Sequence, residues 1–136
     1  MVTAMIPAPG EPPAEWWTNT RHAEARREIG GEEMDDFATY YHDVPPELAA
    51  EAMRRARNHP SERAYVQPWP LETWPEVRTH ALVCRNDRLF PEDFMRRLVH
   101  ERLGITPDEL DSGHCPMLSQ PRELARRLEA FSGLAD

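Results

Sequence analysis

Thr79-His-Ala-Leu-Val-Cys84 followed by Arg85-Asn-Asp87, and then Leu110-Asp-Ser-Gly-His114 some thirty residues on, decide how this chain folds. The first stretch is a short apolar run closed by polar turn formers, the pattern of a strand that ends at a functional loop. Between the two lies a helix. Pro91 suits a first turn, Glu92 and Asp93 favour its positive end, Phe94, Met95, Leu98 and Leu103 face inward, and Gly104 stops it. Thr106 to Asp111 is polar enough that propensity alone gives loop, but its place after that helix makes it a short strand. A last helix starts at Pro121, capped by Ser119 or Gln120, with Leu124, Leu128 and Phe131 on one face and Gly133 beyond its end. Strand, helix, short strand, helix is the order of a parallel sheet with crossover helices.

Upstream the pattern is looser. Met1 to Ile6 has the character of a strand, ended by Pro7, Pro9 and Gly10, and would make about three strands in all. Glu15 to Ile29 is expected to form one helix closed by Gly30-Gly31, with Trp16 and Trp17 near its start. Glu32 to Asp36 is an acidic solvated loop. Residues 45–57 form a helix that Asp43 can cap, with Leu48, Ala52, Met53 and Ala56 on one face and Glu51 and Arg55 paired outside. Residues 58–76 carry four prolines and two tryptophans, Trp69 and Trp74, and are a connection with a short turn or strand at most. The resulting division is a sheet strand at 1–6, a cap and connection at 7–76, and C-terminal strands and helices at 77–136, all within one domain.

Composition sets limits on function. The chain has 136 residues with a formal charge of −8, and all 16 basic residues are arginine. The first fifty residues hold ten acids against three arginines, the wrong sign for tracking phosphates, so nucleic acid is not an expected partner. No stretch reaches the roughly 18 apolar residues that cross a bilayer, and the short apolar start lacks the positive charge of a secretory signal. Two cysteines, Cys84 and Cys115, are too few for a disulfide framework, which suggests reduced thiols and a cytoplasmic location. The paired arginines at 54–55, 96–97 and 126–127 belong to solvated helix faces.

In open α/β sheets the working groups lie just past the carboxyl ends of strands. Asp87 and His114 occupy such positions, and an aspartate beside a histidine there can orient the imidazole and stabilise its charged form. Alone, His114 is more simply a turn histidine bonded to backbone and Asp87 a helix cap or turn residue; the pairing is what favours the functional reading. Cys84, Cys115, His114 and Asp87 together include zinc-ligating types but lack the paired spacing of a zinc site. Cys115 as a nucleophile is disfavoured by standing next to the base in sequence, and suits apolar packing better.

Leu82-Val-Cys-Arg-Asn-Asp-Arg-Leu-Phe-Pro91, Leu103-Gly-Ile-Thr-Pro-Asp-Glu-Leu110 and Gly113-His-Cys-Pro-Met-Leu-Ser-Gln-Pro121 resemble the C-terminal part of the α/β-hydrolase superfamily, and within it small bacterial esterase-like members. Val2 to Glu11 and His42 to Glu51 are similar to the family's sixth strand and to the helical cap that follows. The resemblance implies an α/β fold represented by its C-terminal part, with a short parallel sheet, crossover helices and a cap insertion. It implies Asp87 as the triad acid and His114 as the triad base of a carboxylic-ester hydrolase, with Met5, Trp17 and Phe90 lining the substrate pocket and no metal or cofactor. The triad order is nucleophile, acid, base, yet Ser61, Ser112, Ser119 and Ser132 lie in no Gly-x-Ser-x-Gly motif. The expectation is therefore a chain that supplies acid and base only, that is inactive alone, and that self-associates or pairs with a complementing N-terminal half. The alternatives are an inactive truncated relic, or a module that binds a ligand or partner. The scaffold also admits other reactions, since similar folds host lyases and receptors.

Overall fold

The computed structural model describes residues 1–55 and 61–133. Its centre is a parallel pair of three-residue strands, β1 (Leu82–Cys84) and β2 (Asp108–Leu110), in the register Leu82 to Asp108, Val83 to Glu109 and Cys84 to Leu110. All three residues of β1 are buried, and their neighbours show why. Side chains alternate across a strand. Ala81 and Val83 join a cluster with Ile6, Trp16, Phe90, Phe94, Met95, Leu98 and Val99, while Leu82 and Cys84 join Leu110 and Leu124 on the opposite side. One helix covers each face: α5 (Glu92–Leu103) the first and α7 (Pro121–Ser132) the second. Both end on a glycine in the left-handed region, Gly104 at φ 67° and Gly133 at φ 74°, as the sequence predicts.

The third place in the sheet is taken by a single parallel bridge, Val2 to Leu82, rather than by the strand expected at residues 1–6. Thr3 turns the backbone out of the ladder with φ 40°, so pairing ends after one residue. The helix expected from Glu15 to Ile29 is two helices, α1 (Pro13–Asn19) and α2 (His22–Glu28). The break is at Arg21, which has φ 59°, and at Thr20, whose hydroxyl donates to the Trp16 carbonyl at 2.7 Å. The acidic run contains a 3-10 turn (Gly31–Glu33), and a π-helical turn follows (Phe37–Tyr41).

Helix α3 (Pro46–Arg55) fits its expected span as far as the described residues go; Ala56 and Arg57 lie outside them. Its inward face is different. Ala49 is buried, whereas Leu48 and Met53 are exposed. Similarly, Leu128 of α7 is exposed although Leu124 is buried and Phe131 packs beside it. In the Pro-rich connection, Glu62–Val66 form a short helix, α4, and a further turn of helix, α6 (Pro116–Ser119), precedes α7. Gln120 stands at the α7 N-cap position and makes no side-chain capping bond. Among the described residues no helix is long and apolar enough to cross a membrane.

A buried ion pair fastens the 6–11 turn to α5. Arg102 donates through Nη2 to Glu11 Oε1 at 2.9 Å, and through Nη1 to Glu11 Oε2 and the Ile6 carbonyl. Burial alone would push the Glu11 carboxyl up, but hydrogen bonds from Arg102, Asn19 and the Ala8 amide outweigh it and hold the group below its ordinary range. A depressed folded value contributes stability that is present above the unfolded value, about 4.3, and is lost as pH falls through the folded one. Glu11→Gln is therefore expected to cost about 2 kcal/mol at neutral pH and to flatten the acid side of the stability curve. Urea titrations at pH 7 and near pH 3 check this; an equal loss at both would show that the charge is not responsible.

Candidate active site

Parallel register brings the two strand ends to the same level, and backbone bonds carry the pairing past the strands. The Arg85 amide donates to the Leu110 carbonyl at 2.9 Å and the Asn86 amide to the Ser112 carbonyl at 3.0 Å. The 85–87 and 112–114 loops consequently leave the sheet side by side. Asp87, three residues past β1, and His114, four past β2, meet there.

The Asp87 side chain is 2 % exposed and its oxygens divide their work. Oδ1 accepts the amides of Leu89 at 2.8 Å and Phe90 at 2.9 Å, which fixes the carboxylate to its own loop. Oδ2 lies 3.0 Å from His114 Nδ1, with Oδ1 at 3.2 Å. A carboxylate can only accept, so Nδ1 carries a hydrogen, and in the neutral ring Nε2 is the nitrogen with the lone pair. Among the described residues Nε2 has no hydrogen-bond partner, and the His114 side chain is 15 % exposed. Phe90 and Tyr40 each set an edge against the imidazole, at 5.4 Å and 5.3 Å between ring centres.

Two supports for this pair were not legible in the sequence. His22, on α2, donates from Nε2 to the Leu89 carbonyl at 2.6 Å, pinning the acid loop to the helices above it. Burial holds the His22 pKa below its ordinary value, so the ring is neutral and able to serve as a plain donor. Asp43 reaches across from the segment before α3 and accepts the Gly113 amide at 2.6 Å and the Ser112 hydroxyl at 3.3 Å. It was expected to cap α3. A side chain at Gly113 would have to displace its neighbours, since a Cβ there would lie 2.5 Å from Asp43 Oδ1 and 2.8 Å from His42 Cε1.

The residues expected to line a substrate pocket, Met5, Trp17 and Phe90, all join the apolar cluster on one face of the sheet, at different places in it. Phe90 touches His114, and Trp17 stacks edge-on to His22 and lies 6.1 Å from Phe90. Met5 instead borders a separate apolar depression of about 350 Å³ shared with Trp16 and Trp69. A larger cleft of about 680 Å³ opens beside Asp87, walled in part by His42, Asp43, Arg85 and Arg88. His114 is not part of its wall. Burial pushes the Cys115 thiol up to about 11 and the Cys84 thiol up to about 12. At neutral pH a Cys115 thiolate is then populated at only about one part in 10⁴, which argues against a nucleophilic role. Among the described residues no group of three or more His, Cys, Asp or Glu side chains is arranged to hold a metal ion.

The alpha/beta hydrolase family matches residues 1–127. The chain belongs to that family. Its fold is similar to that of polyneuridine aldehyde esterase, with a TM-score of 0.70 at 19 % identity over 96 % of this chain. It is also similar to a pyrethroid hydrolase from Sphingobium faniae JZ-2, with a TM-score of 0.58 at 18 % identity over 98 % of this chain. In both cases this family member spans 60 % of the longer protein's length. A comparison with curated proteins found no match. The shared architecture is the partial α/β-hydrolase fold: a short parallel sheet with helices on both faces.

Proposed function

We propose that Asp87 and His114 are the acid and base of a serine-dependent carboxylic-ester hydrolase, whose nucleophile belongs to a part of the fold that these 136 residues do not contain. The observation that carries this reading is the buried contact of Asp87 with His114 Nδ1, combined with an Nε2 that has no hydrogen-bond partner among the described residues. In such an enzyme Nε2 takes the serine proton as the hydroxyl attacks the acyl carbon, then delivers it to the departing alcohol. Asp87 keeps the imidazole in the required tautomer and balances its charge when protonated. The esterase and pyrethroid hydrolase that share the fold favour ester substrates. No cofactor is needed for this chemistry.

The 136-residue chain alone is expected to hydrolyse a short activated ester, such as p-nitrophenyl acetate, no faster than its His114→Ala variant. An imidazole and a carboxylate without a hydroxyl nucleophile and oxyanion donors lack the larger share of transition-state stabilisation. Turnover that depends on His114 in this chain would overturn the need for a nucleophile from elsewhere. The decisive experiment reads the DNA upstream of the Met1 codon for an in-frame Gly-x-Ser-x-Gly and expresses the extended chain. Serine-dependent ester hydrolysis that also requires His114 is the expected result, and hydrolysis that survives His114→Ala would refute the assignment.

A further inference from the structure

From the cap-side carboxylate that grips the histidine loop, we infer that Asp43 is a positioning residue for His114, a reading that rests on the acid–base pair proposed above. Asp43 is 70 residues from Gly113 in sequence, yet its Oδ2 accepts the amide immediately preceding His114. The Ser112 hydroxyl donates to the same oxygen and lies 2.8 Å from the Ser119 hydroxyl, so the carboxylate ties both the start of the histidine loop and the turn after it. Burial works against its charge, but the Gly113 amide, the hydroxyls of Ser119 and Ser112 and the nearby His42 hold the carboxyl below its ordinary range. The ionised form is the one this cluster binds.

Steric fit restricts the loop from the other side. His42 Cε1 and Asp43 Oδ1 occupy the space where a Cβ at 113 would go, so a side chain there would have to push the His42 and Asp43 side chains aside. The 42–43 segment is thus a seat, and the Gly113 amide is the contact that registers the loop in it. A displacement of about 1 Å at Gly113 would carry His114 Nδ1 out of reach of Asp87, because a hydrogen bond at 3.0 Å tolerates little lengthening. The cap segment therefore sets the geometry of a pair to which it contributes no reacting atom.

The test is ¹⁵N NMR of the full chain at about pH 8.5, above the ordinary imidazole range. Wild-type protein is expected to show two well-separated His114 ring nitrogens, one bearing hydrogen and one not. If these are averaged in the wild type, the Asp87–His114 pair itself fails, whatever Asp43 does. In Asp43→Ala the Gly113 amide is expected to exchange about ten- to a hundredfold faster, as loss of a charge-assisted bond implies, while the His114 nitrogens converge. Asp43→Asn keeps an acceptor oxygen and is expected to restore both signals most of the way. Faster Gly113 exchange with unmoved His114 nitrogens in either variant overturns the inference, and so does unchanged Gly113 exchange in both. Should Asp43→Ala fail to fold, Asp43→Asn is read by the same criteria, with partial acceleration and partial convergence expected together.

Discussion

In the proposed serine-completed enzyme, Asp87→Asn is expected to lower kcat by about 10⁴ while leaving KM within a factor of a few. The reason lies in how the two carboxylate oxygens are used. Oδ1 holds the amides of Leu89 and Phe90, and an asparagine carbonyl placed there keeps both bonds. Its NH₂ group then occupies the position of Oδ2 and points a donor at His114 Nδ1. Two donors cannot face each other, so the ring adopts the tautomer with hydrogen on Nε2, which is unable to accept a proton from serine. The loop survives and the chemistry does not. Ester kinetics with circular dichroism of both proteins check this. A variant that folds normally and retains a tenth or more of the wild-type kcat would remove Asp87 from the role of acid.

The same residues show how far the sequence could be read. β1, α5 and α7 were legible because their signals are local: an apolar run ended by Arg85-Asn86-Asp87, and helices opened by proline and closed by Gly104 and Gly133. β2 was legible only by position, since Asp108-Glu109-Leu110 has one buried side chain and gains its strand form from pairing with β1. The pairing of Asp87 with His114 followed from strand-end geometry together with family resemblance, and neither residue alone would have carried it. Less visible were features set by single backbone angles. Nothing in a run such as Asn19-Thr20-Arg21-His22 announces that Arg21 will take a left-handed conformation and split a helix. Nor does Val2-Thr3 reveal that pairing will stop after one residue.

Asp43 and His22 escaped detection for another reason. An aspartate ahead of Pro45-Pro46 is most simply a helix cap, and a histidine in a polar helix is most simply exposed. Their actual partners, Gly113 and Leu89, lie 70 and 67 residues away and are backbone groups, which leave no trace in side-chain patterning. The exposure of Leu48, Met53 and Leu128 has a related origin. Periodicity identifies an apolar face, but which part of it is covered depends on neighbours that a single helix does not specify.

Trp16→Ala is expected to be the most damaging single change to the fold, costing about 3–5 kcal/mol. Trp16 is 1 % exposed and is the hub of an aromatic stack. It meets Trp17, His22, Phe90 and Phe94 with ring centres 5.0 to 6.0 Å apart. Its Nε1 also donates to the Ile6 carbonyl at 2.9 Å, although Arg102 shares that acceptor, so the oxygen is not orphaned when the indole goes. The loss is therefore mainly the cavity and the ring contacts, and Trp16→Phe, which keeps a ring, should cost appreciably less. Against a typical total of about 5–15 kcal/mol, removal of the indole takes about a fifth or more of the stability. For a chain of this length the melting temperature should fall by roughly 10–20 °C. The damage extends to the site, because Phe90 bridges Trp16 and His114 and would lose its backing. Thermal melts of the two variants, with the His114 nitrogens followed by NMR, measure both effects. A Trp16→Ala protein melting within about 2 °C of wild type would mean that the cluster collapses onto the vacated space without cost, contrary to close packing in this core.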